Sequence, residues 1–181
     1  DLNEKMNWIK FYGDTSMWPD LADKYKVREY VKNKGLEGIL VKLYGKWDKP
    51  EDIEWETLPD KFVLKANNGS GDVIVCREKG KLDKQKTIAY FKKILSQKYG
   101  VNTGEPHYAK IKPCIIAEEL LDASSQPVKT TSLIDYKIWC FNGEPKYIWT
   151  CFNRTKDGTE VALFDTEWQF HPEFSIYYHH Y

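Results

Sequence analysis

The run LIDYKIWCFNGEPKYIWTCF, residues 133–152, limits what this chain can fold into. Two stretches rich in β-branched and aromatic residues flank Asn142-Gly143. Asn and Gly tolerate the positive φ that a tight hairpin turn demands. A second unit of this kind lies upstream. There, apolar runs at about 61–66 and 72–76 are joined by Asn-Asn-Gly-Ser-Gly, the residue types that build turns. Between the hairpins, residues 82–100 place Ile88, Phe91, Ile94 and Leu95 on one face among lysines, with Gly100 at the end. That spacing predicts a helix. Residues 38–47, 112–121 and 158–170 read as further strands, and 122–132 as a loop. Hairpins mixed with helices predict an α+β fold with mostly antiparallel sheets, not a doubly wound parallel one. Neither G-x-G-x-x-G nor G-x-x-x-x-G-K-[ST] occurs, which excludes the Rossmann and P-loop motifs.

The N-terminal part is less regular. Residues 1–18 read as a short helix or an irregular segment. Pro19-Asp20 then opens a helix over 21–35, with Leu21, Tyr25, Val27, Tyr30 and Val31 at roughly helical spacing and Gly35 as its C-cap. Residues 48–60 are polar, with two prolines, and read as a connection. At 181 residues and 41% hydrophobic, the chain can bury a core as one domain or two small lobes. Its formal net charge is zero, so no global field draws it to nucleic acid or an anionic membrane. No apolar run approaches the roughly 18 residues of a membrane span, and the N-terminus has no apolar signal core. Cys76, Cys114, Cys140 and Cys151 form no C-x-x-C. Buried free thiols in a reducing, cytoplasmic compartment are the expectation. His179-His180 read as a solvated tail feature.

Three short stretches can carry chemistry. In KFVLKANNGSGDVIVC, Lys65 interrupts an apolar strand just before the turn. A lysine on a buried face needs an anion, and the backbone N–H groups at Gly69 and Gly71 can approach phosphate oxygens closely. A plain solvated hairpin fits the same residues. In IIAEELL, Glu118 and Glu119 end a strand on opposite faces, so they cannot act as one carboxylate pair. The strand edge beyond them can read a purine through backbone groups, or it is simply the strand's polar end. In DYKIWCF, Asp135 and Lys137 share a strand face. They either pair with each other or line a cleft, and Arg154 is a further cation suited to phosphoryl charge. Ser70 lacks the G-x-S-x-G setting of a catalytic serine.

In this order, DKYKVREYVKNKG, LPDKFVLKANNGSGDVIVC, IKPCIIAEELL and DYKIWCFNGEPKYI resemble the TupA-like branch of the ATP-grasp superfamily, linked to teichuronopeptide and surface-polysaccharide biosynthesis. The resemblance implies ATP and Mg²⁺ as cofactors, with ATP between two antiparallel sheets. It implies phosphate contacts from Lys24, on the 21–35 helix, with Arg28 close by, and from Lys65. Asn68, Gly69, Ser70 and Gly71 would form the closing loop. Glu118 to Leu121 would form the adenine hinge, largely through backbone groups of Glu119 and Leu121. Asp135 would bind ribose, and Lys137 and Arg154 would lie near the γ-phosphate or acceptor as catalytic candidates. Asp72 departs from the pattern, since its carboxylate repels phosphate unless it points away.

The implied reaction is ATP-dependent carboxylate–amine ligation through an acyl phosphate, on a small-molecule or glycan-linked substrate. The division read from the sequence is 1–60 leading into the fold, 61–112 as the small lobe, and 113–181 as the start of a larger lobe. The family's late metal-binding acids find no match in Asp165, Glu167 or Glu173, so the metal ligands stay unassigned and the C-terminal metal-binding part is expected to be missing. An exposed sheet edge would then favour homo-oligomers. Two other readings remain open. One is a glycan-binding or glycosyltransferase-type protein using Trp139, Trp149 and Trp168. The other is an inactive ATP-grasp lobe.

Overall fold

A computed structural model describes residues 1–101 and 104–174. His179 and His180 lie outside them. The chain divides into two compact units, Asp1–Leu120 and Leu121–Tyr181.

The first unit opens with three helices, α1 (Leu2–Tyr12), α2 (Trp18–Ala22) and α3 (Val27–Asn33). Asp1 caps α1 with a reciprocal Asp1–Glu4 capping box, which satisfies N–H groups the helix itself cannot. The helix expected over 21–35 is broken in two at residues 23–26. Asp23 takes an extended conformation, and its side chain accepts from the N–H groups of Tyr25 and Lys26. Local bonds of this kind compete with the helical ladder. Strand β1 (Leu43–Trp47) follows a short 3₁₀ turn at Glu37–Ile39, so the strand expected from residue 38 starts later. Strands β2 (Phe62–Ala66) and β3 (Val73–Cys76) form the first hairpin, and α4 (Lys84–Leu95) follows, N-capped by Asp83.

Strand β4 (Ile115–Glu119) completes an antiparallel sheet in the order β1-β4-β2-β3. Although β4 opens the third segment of the sequence division, it lies inside this first sheet. Its residues Ile115, Ile116 and Ala117 are fully buried. Phe62, Leu64 and Ala66 of β2 share one face and pack with Phe91 of α4, Trp47, Ile53 and Leu58 into the core. Burying side chains of this size stabilises the fold by about 1.5–3 kcal/mol each.

The second unit is a meander, β5 (Asp135–Phe141), β6 (Glu144–Phe152) and β7 (Glu160–Asp165), in sheet order β5-β6-β7. Asn142 and Gly143 adopt φ of 52° and 81°, the left-handed pair that a type I′ hairpin turn requires. The two units together give helices with two antiparallel sheets among the described residues. All four cysteines are free. Cys76, Cys114 and Cys151 are buried, but Cys140 is exposed, because all of edge strand β5 is exposed. Burial raises the Cys114 thiol to about 12, which makes it a poor nucleophile.

Candidate functional site

The break between α2 and α3 positions the first cation. Released from the helix, the Lys24 N–H donates to the Asn67 carbonyl at 3.1 Å, and its ammonium donates to the Gly69 carbonyl. Lys24 is therefore not on a helix, as expected, but in the turn between α2 and α3, fixed to the glycine turn. Burial first, then the neighbouring Lys65 charge, depress its pKa. Among the described residues Lys24 makes no ion pair, so its ammonium is partly desolvated without a bound counter-charge. That is the environment in which an added anion is most favoured.

Lys65 has a partner. On β2, Val63 faces Glu118 across the β2–β4 ladder, and Lys65 lies two residues along the same face. Its ammonium reaches Glu118 Oε2 at 2.7 Å. Arg28 holds the other oxygen at 3.0 Å, and its second nitrogen donates to the Val41 carbonyl at 2.5 Å. The anion that the buried-face lysine requires is thus Glu118 within the protein itself, a partner that local sequence did not disclose. Arg28 is committed at both terminal nitrogens, and its side chain is 13% exposed. Lys65 is 30% exposed and keeps donor capacity for a ligand.

Glu118 and Glu119 do part to opposite faces. Glu118 is buried and Glu119 exposed. The Glu119 N–H, expected to help read a purine, is taken by the Lys42 carbonyl at 2.9 Å. Leu121, where the second unit begins, is exposed.

The loop itself mixes order and freedom. Asn67 and Asn68 are buried, while Ser70 and Gly71 are exposed, with Gly71 at φ +85°. Asp72 turns toward α4, where Tyr90 Oη donates to its Oδ1 at 3.4 Å. Its other oxygen lies where a Cβ on Gly69 would come within 2.9 Å. The carboxylate stays near enough to Lys24 to offset part of the Lys65 repulsion.

Sequence reasoning missed Asn67. Its Oδ1 accepts from the Cys114 N–H at 2.7 Å and its Nδ2 donates to the Lys112 carbonyl at 3.1 Å, at 1% exposure. It bolts the root of the loop to the chain entering β4. The NN pair before GSG was the available signal, but turn chemistry explained it equally well. Asn67→Ala is expected to cost about 2 kcal/mol, because the Cys114 N–H is left buried without a partner. Urea denaturation measures this, and an unchanged midpoint contradicts it.

The second unit holds a separate cluster. Arg154 meets Asp135 at 2.7 Å, and Lys137 meets the same oxygen at 3.4 Å. Asp135 is thus engaged by two cations, the pairing that the shared strand face allowed. Among the described residues no group of three His, Cys, Asp or Glu is placed to hold a metal ion.

A family model described as TupA-like ATPgrasp matches residues 4–179. The chain belongs to the TupA-like ATPgrasp family. No curated protein and no solved structure shows a significant match. Membership makes this an ATP-grasp domain, a class that binds ATP with Mg²⁺ and is ligase-like. The cluster of Lys24, Lys65 and the glycine turn fits a polyphosphate, since it offers ammonium groups together with the exposed backbone of Ser70 and Gly71.

Proposed function

We propose that this TupA-like ATP-grasp domain binds ATP, holding the triphosphate through its first unit, and serves carboxylate–amine ligation. The observation that carries the reading is Lys24, desolvated beside Lys65 and joined to the Gly69 carbonyl. A triphosphate supplies the negative charge that neither ammonium receives in full from the protein. Lys65 and Lys24 would bind phosphate oxygens, and Asn68, Gly69, Ser70 and Gly71 would cover them. Glu118 would hold Lys65 in place, with Arg28 as its brace.

The adenine would be read by the Glu119 carbonyl and the Leu121 backbone, the Glu119 N–H being committed elsewhere. Asp135 would meet the ribose, and Lys137 and Arg154 would neutralise the γ-phosphate or the acceptor carboxylate. The substrates would be a carboxylate and an amine, small or glycan-linked, in cytoplasmic assembly of a surface polysaccharide.

ATP with Mg²⁺ at several millimolar is expected to raise the melting temperature of the full chain. One-site linkage gives about 2.7 kcal/mol at a hundredfold excess over Kd. An unchanged melting curve contradicts the reading.

Two observations bear on the other readings. Trp139 and Trp149 stack with centroids 5.5 Å apart and planes within 6°, and Trp139 is 43% exposed, a platform on which a sugar ring can rest. Glycan-array binding without any ATP response would favour that reading. Edge strand β5 is exposed along its whole length, which supports self-association through it. A monomer in sedimentation at high concentration rules that out. No helix among the described residues is long and apolar enough to cross a membrane.

A further inference from the structure

We propose that the apolar cavity of the second unit binds a small molecule with a flat apolar body and one anionic group. The site is distinct from the Asp135–Arg154 cluster. Tyr136 pairs with Thr150, Thr150 with Ala162, and Ile148 with Phe164, so these residues share one face of the sheet. Asp135, Cys151 and Val161 pair in turn on the other face. The cavity is open to solvent on one side and has a volume of about 340 Å³, within the range of small-ligand sites.

Aromatic side chains make its walls. Tyr136, Phe152, Phe164 and Trp168 all line it. Trp168 stands edge-on to Tyr136 at 6.0 Å and tilted against Phe164 at 5.7 Å. It is held there at a conformational cost. Its φ is +62°, a region where a bulky side chain is rare and which clusters at ligand clamps. Asp165 pins the turn. Its carboxylate accepts from the N–H groups of Glu167 and Gln169, and its carbonyl accepts from the Trp168 N–H. Asn153, at φ +48°, lines the same cavity.

The polar groups define the ligand's charge. The Thr150 hydroxyl is used by the Ala162 carbonyl, and Asn153 is used by Thr131 and Glu160. The lining includes Lys129 and no Asp or Glu. Lys129 is exposed and makes no ion pair among the described residues. Aromatic walls alone suit a quaternary ammonium, but Lys129 in the lining repels one, and the Glu160 carboxylate on the same sheet face lies outside the lining, accepting from Asn153 Nδ2. Aromatic walls with one lysine in the lining match an apolar anion.

This proposal does not rest on nucleotide binding, and its test uses no nucleotide. The full chain is titrated with 8-anilinonaphthalene-1-sulfonate and, separately, with the neutral N-phenyl-1-naphthylamine. Saturable one-site fluorescence enhancement is expected for both dyes. Ala162→Phe fills the cavity and is expected to abolish both signals. Lys129→Gln is expected to weaken the sulfonate about fivefold, the size of one exposed charge pair, and to leave the neutral dye unchanged. If Ala162→Phe fails to fold, Trp168→Ala replaces it and must weaken both dyes at least tenfold. No enhancement, or enhancement that survives the cavity variant, overturns the site. Equal affinity of Lys129→Gln and the unaltered protein for the sulfonate, or displacement of the dye by benzyltrimethylammonium, overturns the charge assignment.

Discussion

Lys65→Ala is expected to abolish the thermal stabilisation by ATP. A charge-assisted hydrogen bond is worth about 1.5–3 kcal/mol, or roughly ten- to a hundredfold in affinity. The loss is expected to exceed that of a surface lysine for two reasons. The ammonium is held by Glu118 Oε2 at 2.7 Å, so little entropy is lost when a phosphate arrives. Its side chain is also only 30% exposed, so solvent screens the contact less than at the surface. The substitution also removes a cause of the depressed Lys24 pKa. Lys24 in the variant should therefore titrate closer to an ordinary lysine, which amine-detected NMR can follow. A variant that keeps the full ATP shift would show that the phosphate lies elsewhere.

Glu118→Ala is expected to have the largest effect on stability. Glu118 is 7% exposed and ties two cations, Arg28 on α3 and Lys65 on β2, to the central strand β4. Truncating one member of a buried pair leaves charge uncompensated and typically costs about 3–5 kcal/mol. Arg28 carries most of that cost, with its side chain at 13% exposure and only the Val41 carbonyl left. Urea denaturation should show the loss in the midpoint without a change in slope. In the variant ATP should recover part of the stability, because its phosphates offer Lys65 a replacement anion. A variant as stable as the parent would mean that the Arg28–Glu118–Lys65 network does not anchor the cations.

Much of this fold was legible where one local signal dominates. Asn142-Gly143 announces its hairpin because few other pairs accept two positive φ values. Ile88, Phe91 and Ile94 announce α4 because the helical period leaves them on one side. The break at Asp23 was not legible. Apolar spacing continues through it, and whether an aspartate caps or interrupts depends on where the next turn is needed. Here the loop at Asn67 takes the freed Lys24 N–H.

The site followed the same division. Lys65, the glycine turn and Glu118 could be singled out because each is odd for a strand. Their pairing could not, since it depends on the register Val63–Glu118 between segments far apart in sequence. The Lys42 carbonyl that occupies the Glu119 N–H is likewise a tertiary fact, invisible in a run that reads as a free strand end. The second unit's cavity was hidden for a further reason. Tyr136 and Phe164 look like ordinary core aromatics until the turn at Asp165 sets the ring of Trp168 beside them.

Lys24, Lys65 and the Gly69–Gly71 turn are expected to recognise phosphate charge. Calorimetric titration of the full chain with ATP, AMP, adenosine and inorganic tripolyphosphate tests this most directly. ATP and tripolyphosphate are predicted to bind, AMP to bind at least tenfold more weakly than ATP, and adenosine more weakly still, with the ATP affinity falling as salt rises. Adenosine binding as tightly as ATP, or ATP affinity indifferent to salt, would contradict the account.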